Sequence, residues 1–159
     1  MTVYRVGSDP GARVLPIAAI RPPGSGTGTS VADLKGKNVL MGAVEGRDNI
    51  LSGGFAHEVQ RNPLRAVDQR DQFSRADGRL FVFLTWDPRE RLRGTMVYRM
   101  FDEENRKVME SKPAKVDFKP GNGSFTYLEI PVPPVPASYR VDVVVGELTM
   151  WRGLFRVIP

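Results

Sequence analysis

From Arg79 to Ile158 the chain is written in short apolar runs separated by turn residues, with no helical repeat between them. "RLFVFLTW" (79–86) stops at Asp87-Pro88, and "TMVYRMF" (95–101) leads into Asp102-Glu103-Glu104-Asn105 before "RKVMES" (106–111) returns as a hairpin does. "AKVDF" (114–118) ends at Lys119-Pro120-Gly121-Asn122-Gly123, and "SFTYLEIPV" (124–132) runs into a proline-rich stretch. "YRVDVVV" (139–145) and "LTMWRGLFRVI" (148–158) flank Gly146-Glu147. Branched and aromatic runs of strand length, punctuated by Gly, Pro, Asn and Asp, predict an antiparallel β-sandwich over residues 73–159. Alternation assigns Phe81, Phe83, Val97, Phe125, Tyr127, Val141, Val143, Val145, Trp151, Phe155 and Val157 to its interior.

Residues 1–72 follow no such pattern. "ARVLPIAAI" (12–20) is apolar but interrupted by Pro16, "KNVLMGAV" (37–44) has the length of one strand, and "GGFAHEVQRN" (53–62) reads as a short helix ending before Pro63. Much of the remainder is Gly, Pro and polar residues, "RPPGSGTGTS" (21–30) being the extreme case. Ordering each residue costs about 1–2 kcal/mol of backbone entropy, which these few apolar side chains do not offset alone. The expectation is a long extended arm with little regular structure, preceding a mainly β domain.

The motifs that would announce chemistry fail residue by residue. A phosphate-binding Gly-x-x-x-x-Gly-Lys-[Ser/Thr] loop would need glycine at Val31 and Ser or Thr at Asn38, around Gly36-Lys37. The dinucleotide pattern begun by Gly24 and Gly26 needs a third glycine where Thr29 stands. His57 is the only histidine, so any imidazole-based catalysis must use it, and no Gly-x-Ser-x-Gly elbow accompanies it. There is no cysteine, which excludes disulfides and thiolate metal sites. Asp102-Glu103-Glu104-Asn105 lacks the spacing of a calcium loop, and Asn122-Gly123-Ser124 is better explained as a turn than as a glycosylation acceptor. The expectation is therefore a protein that is not an enzyme, with no cofactor and no metal site.

A formal charge of +5 favours acidic partners, but no block of like charge concentrates it, so no specific nucleic acid is expected. Arg89, Arg91 and Arg93 alternate near Trp86 and would point to one side of an extended segment, where they suit an acidic protein surface or anionic lipid headgroups. No run reaches the roughly 18 apolar residues of a membrane-spanning helix, and no secretory signal is read at the start, which leads to a cytoplasmic expectation.

The stretch "PVPASYRVDVVVGELTMWRGLFRV" resembles immunoglobulin-like sandwiches used as accessory modules in bacterial proteins. It has the proline-rich approach, Tyr-x-Val-x-Val, a two-residue turn and a closing strand with Phe-x-Val. Tyr139 falls where such domains place a corner-pinning tyrosine. The resemblance covers 73–159 only and departs in lacking both core cysteines; no family is recognised for residues 1–72. It implies architecture, since one such fold hosts adhesion, chaperoning, carbohydrate binding and scaffolding alike.

The arm decides among these in favour of scaffolding. The expected protein is a non-catalytic accessory subunit of a large assembly, its arm strapped over neighbouring subunits through Val14, Leu15, Ile17, Ile20, Val39, Leu40, Ile50, Leu51 and Phe55. The cytoplasmic face of a membrane complex such as a photosynthetic reaction centre suits this description. A virion decoration protein, or a carbohydrate- or lipid-binding sandwich displaying Trp86, Tyr98 or Trp151, is the alternative.

Overall fold

The computed structural model describes residues 2–5 and 43–159. These residues form β1 (Thr2–Arg5), β2 (Ile50–Arg61), β3 (Leu64–Gln69), β4 (Gln72–Ser74), β5 (Arg79–Trp86), β6 (Leu92–Phe101), β7 (Lys107–Glu110), β8 (Ala114–Phe118), β9 (Ser124–Pro131), β10 (Ala137–Val145) and β11 (Leu148–Ile158). Their only helical pieces are single 3-10 turns at Arg47–Asn49 and Arg75–Asp77. The fold is mainly β and consists of two sheets.

The first sheet has the order β1-β9-β5-β2-β3, antiparallel throughout; the second runs β4-β11-β10-β6-β7, with β8 also on β6. β6 is long enough to serve two partners, pairing Leu92–Met96 with β8 and Arg99–Phe101 with β7. β4 lies parallel to the end of β11, through Gln72–Ser74 beside Arg156–Ile158. The chain passes from the first sheet to the second between β3 and β4, between β5 and β6, and again between β9 and β10, so each sheet supplies one wall of a common core.

That core takes Leu80, Val82, Leu84 and Trp86 from β5, Leu128 and Ile130 from β9, Met96, Tyr98 and Met100 from β6, and Tyr139, Val141, Val143 and Phe155 from the β10–β11 hairpin. Trp86 stacks on Phe118 at 4.5 Å, and Phe155 is ringed by Phe55, Phe73 and Tyr139. The Tyr139 hydroxyl donates to the Val135 carbonyl at 2.8 Å and pins the corner before β10.

Three expectations need correction. First, residues 50–69 are not part of a loosely structured arm: β2 and β3 form a hairpin within the first sheet, turned by Asn62-Pro63, so the two-sheet body begins near residue 50 rather than 73. Extended pairing with β5 outcompetes a helix at 53–62, because it buries Phe55 in the core and uses the backbone of Gly53 and Gly54 in a ladder. Second, β5 and β9 turn the opposite faces inward from those the alternation assigned. Phe81, Phe83, Phe125 and Tyr127 are buried, but with Ala56 in a second cluster on the far face of the first sheet. Third, Met96, Tyr98 and Met100 occupy the core in place of Val97. Val141, Val143, Val145, Phe155 and Val157 lie inward as expected, and Trp151 packs partly against them.

Candidate functional site

Along one side of the body, two strand edges border a groove. β2 pairs with β5 from Ile50 to Ala56 but with β3 only from Ala56 onward, and β4 reaches β11 only from Arg156. Backbone bonds close the groove's ends: Gly46 N–H donates to Thr149 O at 2.9 Å, Arg156 N–H to Asp71 O at 2.7 Å, and Arg70 N–H to Phe55 O at 3.0 Å. Register shifts at Ile50/Ser52 and at Val143/Val144 re-aim both strands where the groove opens.

Trp151 stands in the middle, half-buried, its ring 5.6 Å from that of Phe55. The indole fits because glycine lies on both sides of it. A Cβ at Gly53 would come within 2.7 Å of the indole Nε1, and one at Gly153 would overlap the ring. Trp151 and Gly53 are shared by two concavities of roughly 370 and 350 Å³. The first is lined by Gly54, Gln69, Arg70, Asp71 and Leu154, the second by Val44, Arg47, Leu51 and Met150. Leu51 is 70% exposed, unusually open for a leucine beside so much apolar surface.

The charged groups at the rim are largely engaged. Arg70 donates to Asp77 at 2.9 Å, lies 3.3 Å from Asp68 and stacks over Phe73. Arg152 closes on Asp142 with contacts of 2.7 and 3.0 Å. The Ser74 backbone N–H, aided by Arg70, holds the Asp77 carboxyl below the ordinary carboxylate range. His57 comes no closer than 3.8 Å to this carboxylate, and its side chain is 41% exposed. The groove thus offers apolar surface, strand backbone and guanidinium charge, and His57 is not among its lining residues.

Of the arm anchors, Val14, Leu15, Ile17, Ile20, Val39 and Leu40 lie outside the described residues. Ile50, Leu51 and Phe55 are all on β2, but with different fates: Phe55 is core, Ile50 packs against the core, and Leu51 projects into the groove. The three arginines are all exposed, but in different settings. Arg89 sits in the bend before β6, Arg93 is exposed on β6, and Arg91 grips Asp117 through Nε at 2.8 Å and Nη2 at 2.6 Å. Asp102 is fully buried, accepting from the Glu104 and Arg106 N–H groups and from Arg106 Nε, so it builds the β6–β7 turn. Among the described residues no group of three or more His, Cys, Asp or Glu side chains is placed to hold a metal ion. Trp86 and Tyr98 are fully buried, leaving Trp151 as the one of those three aromatics at a surface groove. Sequence reasoning missed the partnership of Trp151 with Gly53 and Gly153. The available signal was glycine inside two strand-like runs, which often marks close approach by another group.

No family model matches the chain, and no curated protein matches it. Among solved structures it is similar to the Pseudomonas fluorescens alkylpurine DNA glycosylase AlkC bound to DNA containing an abasic site analog, at 10% identity and a TM-score of 0.42. The match covers 56% of this chain and 28% of that one, and at this score it carries no functional argument. Among the described residues no helix is long and apolar enough to cross a membrane.

Proposed function

We propose that this chain is a non-catalytic accessory subunit, an immunoglobulin-like module that stabilises a larger multi-subunit assembly by docking against its other proteins. The immunoglobulin-like description is supported by β5 pairing with β9, β6 with β10, β4 lying parallel to β11, and the Tyr139–Val135 bond at the corner. The observation that carries the functional reading is the groove around Trp151. It presents open strand edges and exposed apolar side chains, with its charged rim turned mostly to structural pairs. Such a surface recognises shape and backbone rather than performing acid–base work.

Other protein subunits are the partners in this reading, with contact to anionic headgroups at the cytoplasmic face of a membrane complex as its further part. Arg89 and Arg93 are the exposed cations favouring that contact. Native electrophoresis of extracts from cells carrying the tagged chain at its own locus tests the proposal. A complex far larger than 17.7 kDa is expected, and migration as a free chain under gentle extraction overturns it.

A further inference from the structure

We infer that the groove around Trp151 is a strand-addition site: an extended, apolar segment of a partner polypeptide, flanked by acidic residues, lies along β11 in line with β4. The inference deepens the accessory-subunit reading by naming what the partner presents.

The ladder itself points to an extended occupant. β4 covers β11 only at Arg156–Ile158, where the Arg156 N–H faces it. Strand geometry turns every second residue's N–H and C=O to the same side, so those of Leu154 also face the groove. β10 occupies the other side of β11, and on the groove side no described strand pairs with it before Arg156. Open edges of this kind are normally blunted by Lys, Pro or a covering loop. Gly53 and Gly153, whose side-chain positions the Trp151 ring fills, add no side chain of their own to the groove. A helix cannot supply backbone donors and acceptors at this spacing, whereas an added strand does so.

Side-chain chemistry narrows the occupant further. Leu51 and Trp151 offer apolar contact in the two concavities, suiting residues that alternate along an extended segment. Arg70 and Arg152 are neutralised by Asp77 and Asp142, so it is Arg47, beside Leu51, that an acidic flank of the segment meets.

The test is a titration of the full-length protein with the peptide acetyl-EVTVFVTE-amide, followed by amide NMR. Two N-methylated versions, blocked on odd or on even residues, distinguish which peptide edge is read. Saturable shifts are expected at Gly53, Gly54, Gly153 and Leu154. One methylated peptide should bind about tenfold or more weakly and the other near normally, because a strand uses one edge for each neighbour. Replacing both glutamates by lysine should weaken binding. Leu154→Pro removes the edge N–H and should abolish the effect. If that variant does not fold, Leu51→Lys, at an exposed position, should still weaken binding several-fold. No saturable binding, shifts confined to other surfaces, or equal binding of both methylated peptides overturns the inference. Peptide binding without a large native complex would instead count against the accessory-subunit reading, and a large complex without peptide binding would sink only the strand-addition site.

Discussion

Thr126 turns inward from β9, where its Oγ1 accepts from Trp86 Nε1 at 2.8 Å and lies 3.2 Å from the Tyr98 hydroxyl. Both aromatic residues are fully buried, and burial pushes the Tyr98 hydroxyl above its usual pKa. Thr126→Val keeps the shape but orphans the Trp86 N–H and takes away the Tyr98 hydroxyl's partner. It should lower the free energy of unfolding by about 1–3 kcal/mol, the cost of an unsatisfied buried polar group. Urea titration should show the midpoint falling at an unchanged slope. Asp77 gives the second residue-scale prediction. Its native pKa lies below the unfolded value, so the unfolded chain takes up the proton first as pH falls. The associated stability is present above the ordinary carboxylate range and is lost as pH drops through the native value. Thermal unfolding between about pH 5 and 2 should therefore decline more gently in Asp77→Asn than in the parent. Equal slopes would remove Asp77 from the acid response.

The strands show what was legible in the sequence and what was not. β10 and the second half of β11 could be phased from the chain because Tyr139, Val141 and Val143 alternate with Arg140 and Asp142, which sit on the opposite face. β5 resisted phasing because both faces of "RLFVFLTW" are apolar. The larger phenylalanines look like the core, yet Leu80, Val82, Leu84 and Trp86 occupy it. β2 was disguised by Phe55 and Val59, whose spacing also fits one face of a helix, and by glycines that discourage a strand assignment. Its pairing with β5 is a long-range choice that local propensity does not encode. The groove was illegible for the same reason, since Gly53 and Trp151 meet only once β2 and β11 are in place. Truncation can separate the two apolar layers. Phe155→Ala, at the meeting point of three rings, should cost about 3–5 kcal/mol. The same range is expected for Phe83→Ala, which loses its stacked neighbour Phe125 on the far face. A Phe83→Ala cost below about 1 kcal/mol in denaturant unfolding would show that the second cluster contributes little to folding.

For the molecule as a whole, stability and solubility depend on how its sheet edges are closed. β3 carries Arg65 and Asp68 along its outer run, charges that discourage pairing with another copy. The opposite edge of the first sheet is managed differently: β1 pairs Thr2–Arg5 with Ser124–Tyr127 of β9. Without β1, β9 would present an unpaired ladder through Ser124–Tyr127, with Phe125 and Tyr127 on the face that already holds an aromatic cluster. A flat, apolar edge of this kind is a template for another chain. Deleting residues 1–5 should therefore leave the core packing intact while making the protein self-associate. Sedimentation velocity should resolve a concentration-dependent dimer or larger species absent from the parent, and circular dichroism should still report mainly β structure. Adding back the extended peptide Thr-Val-Tyr-Arg in excess should reverse the association, because it restores the partner that β9 has lost. A deletion variant that stays monomeric at every concentration, with unchanged unfolding, would show that β1 does not protect this edge.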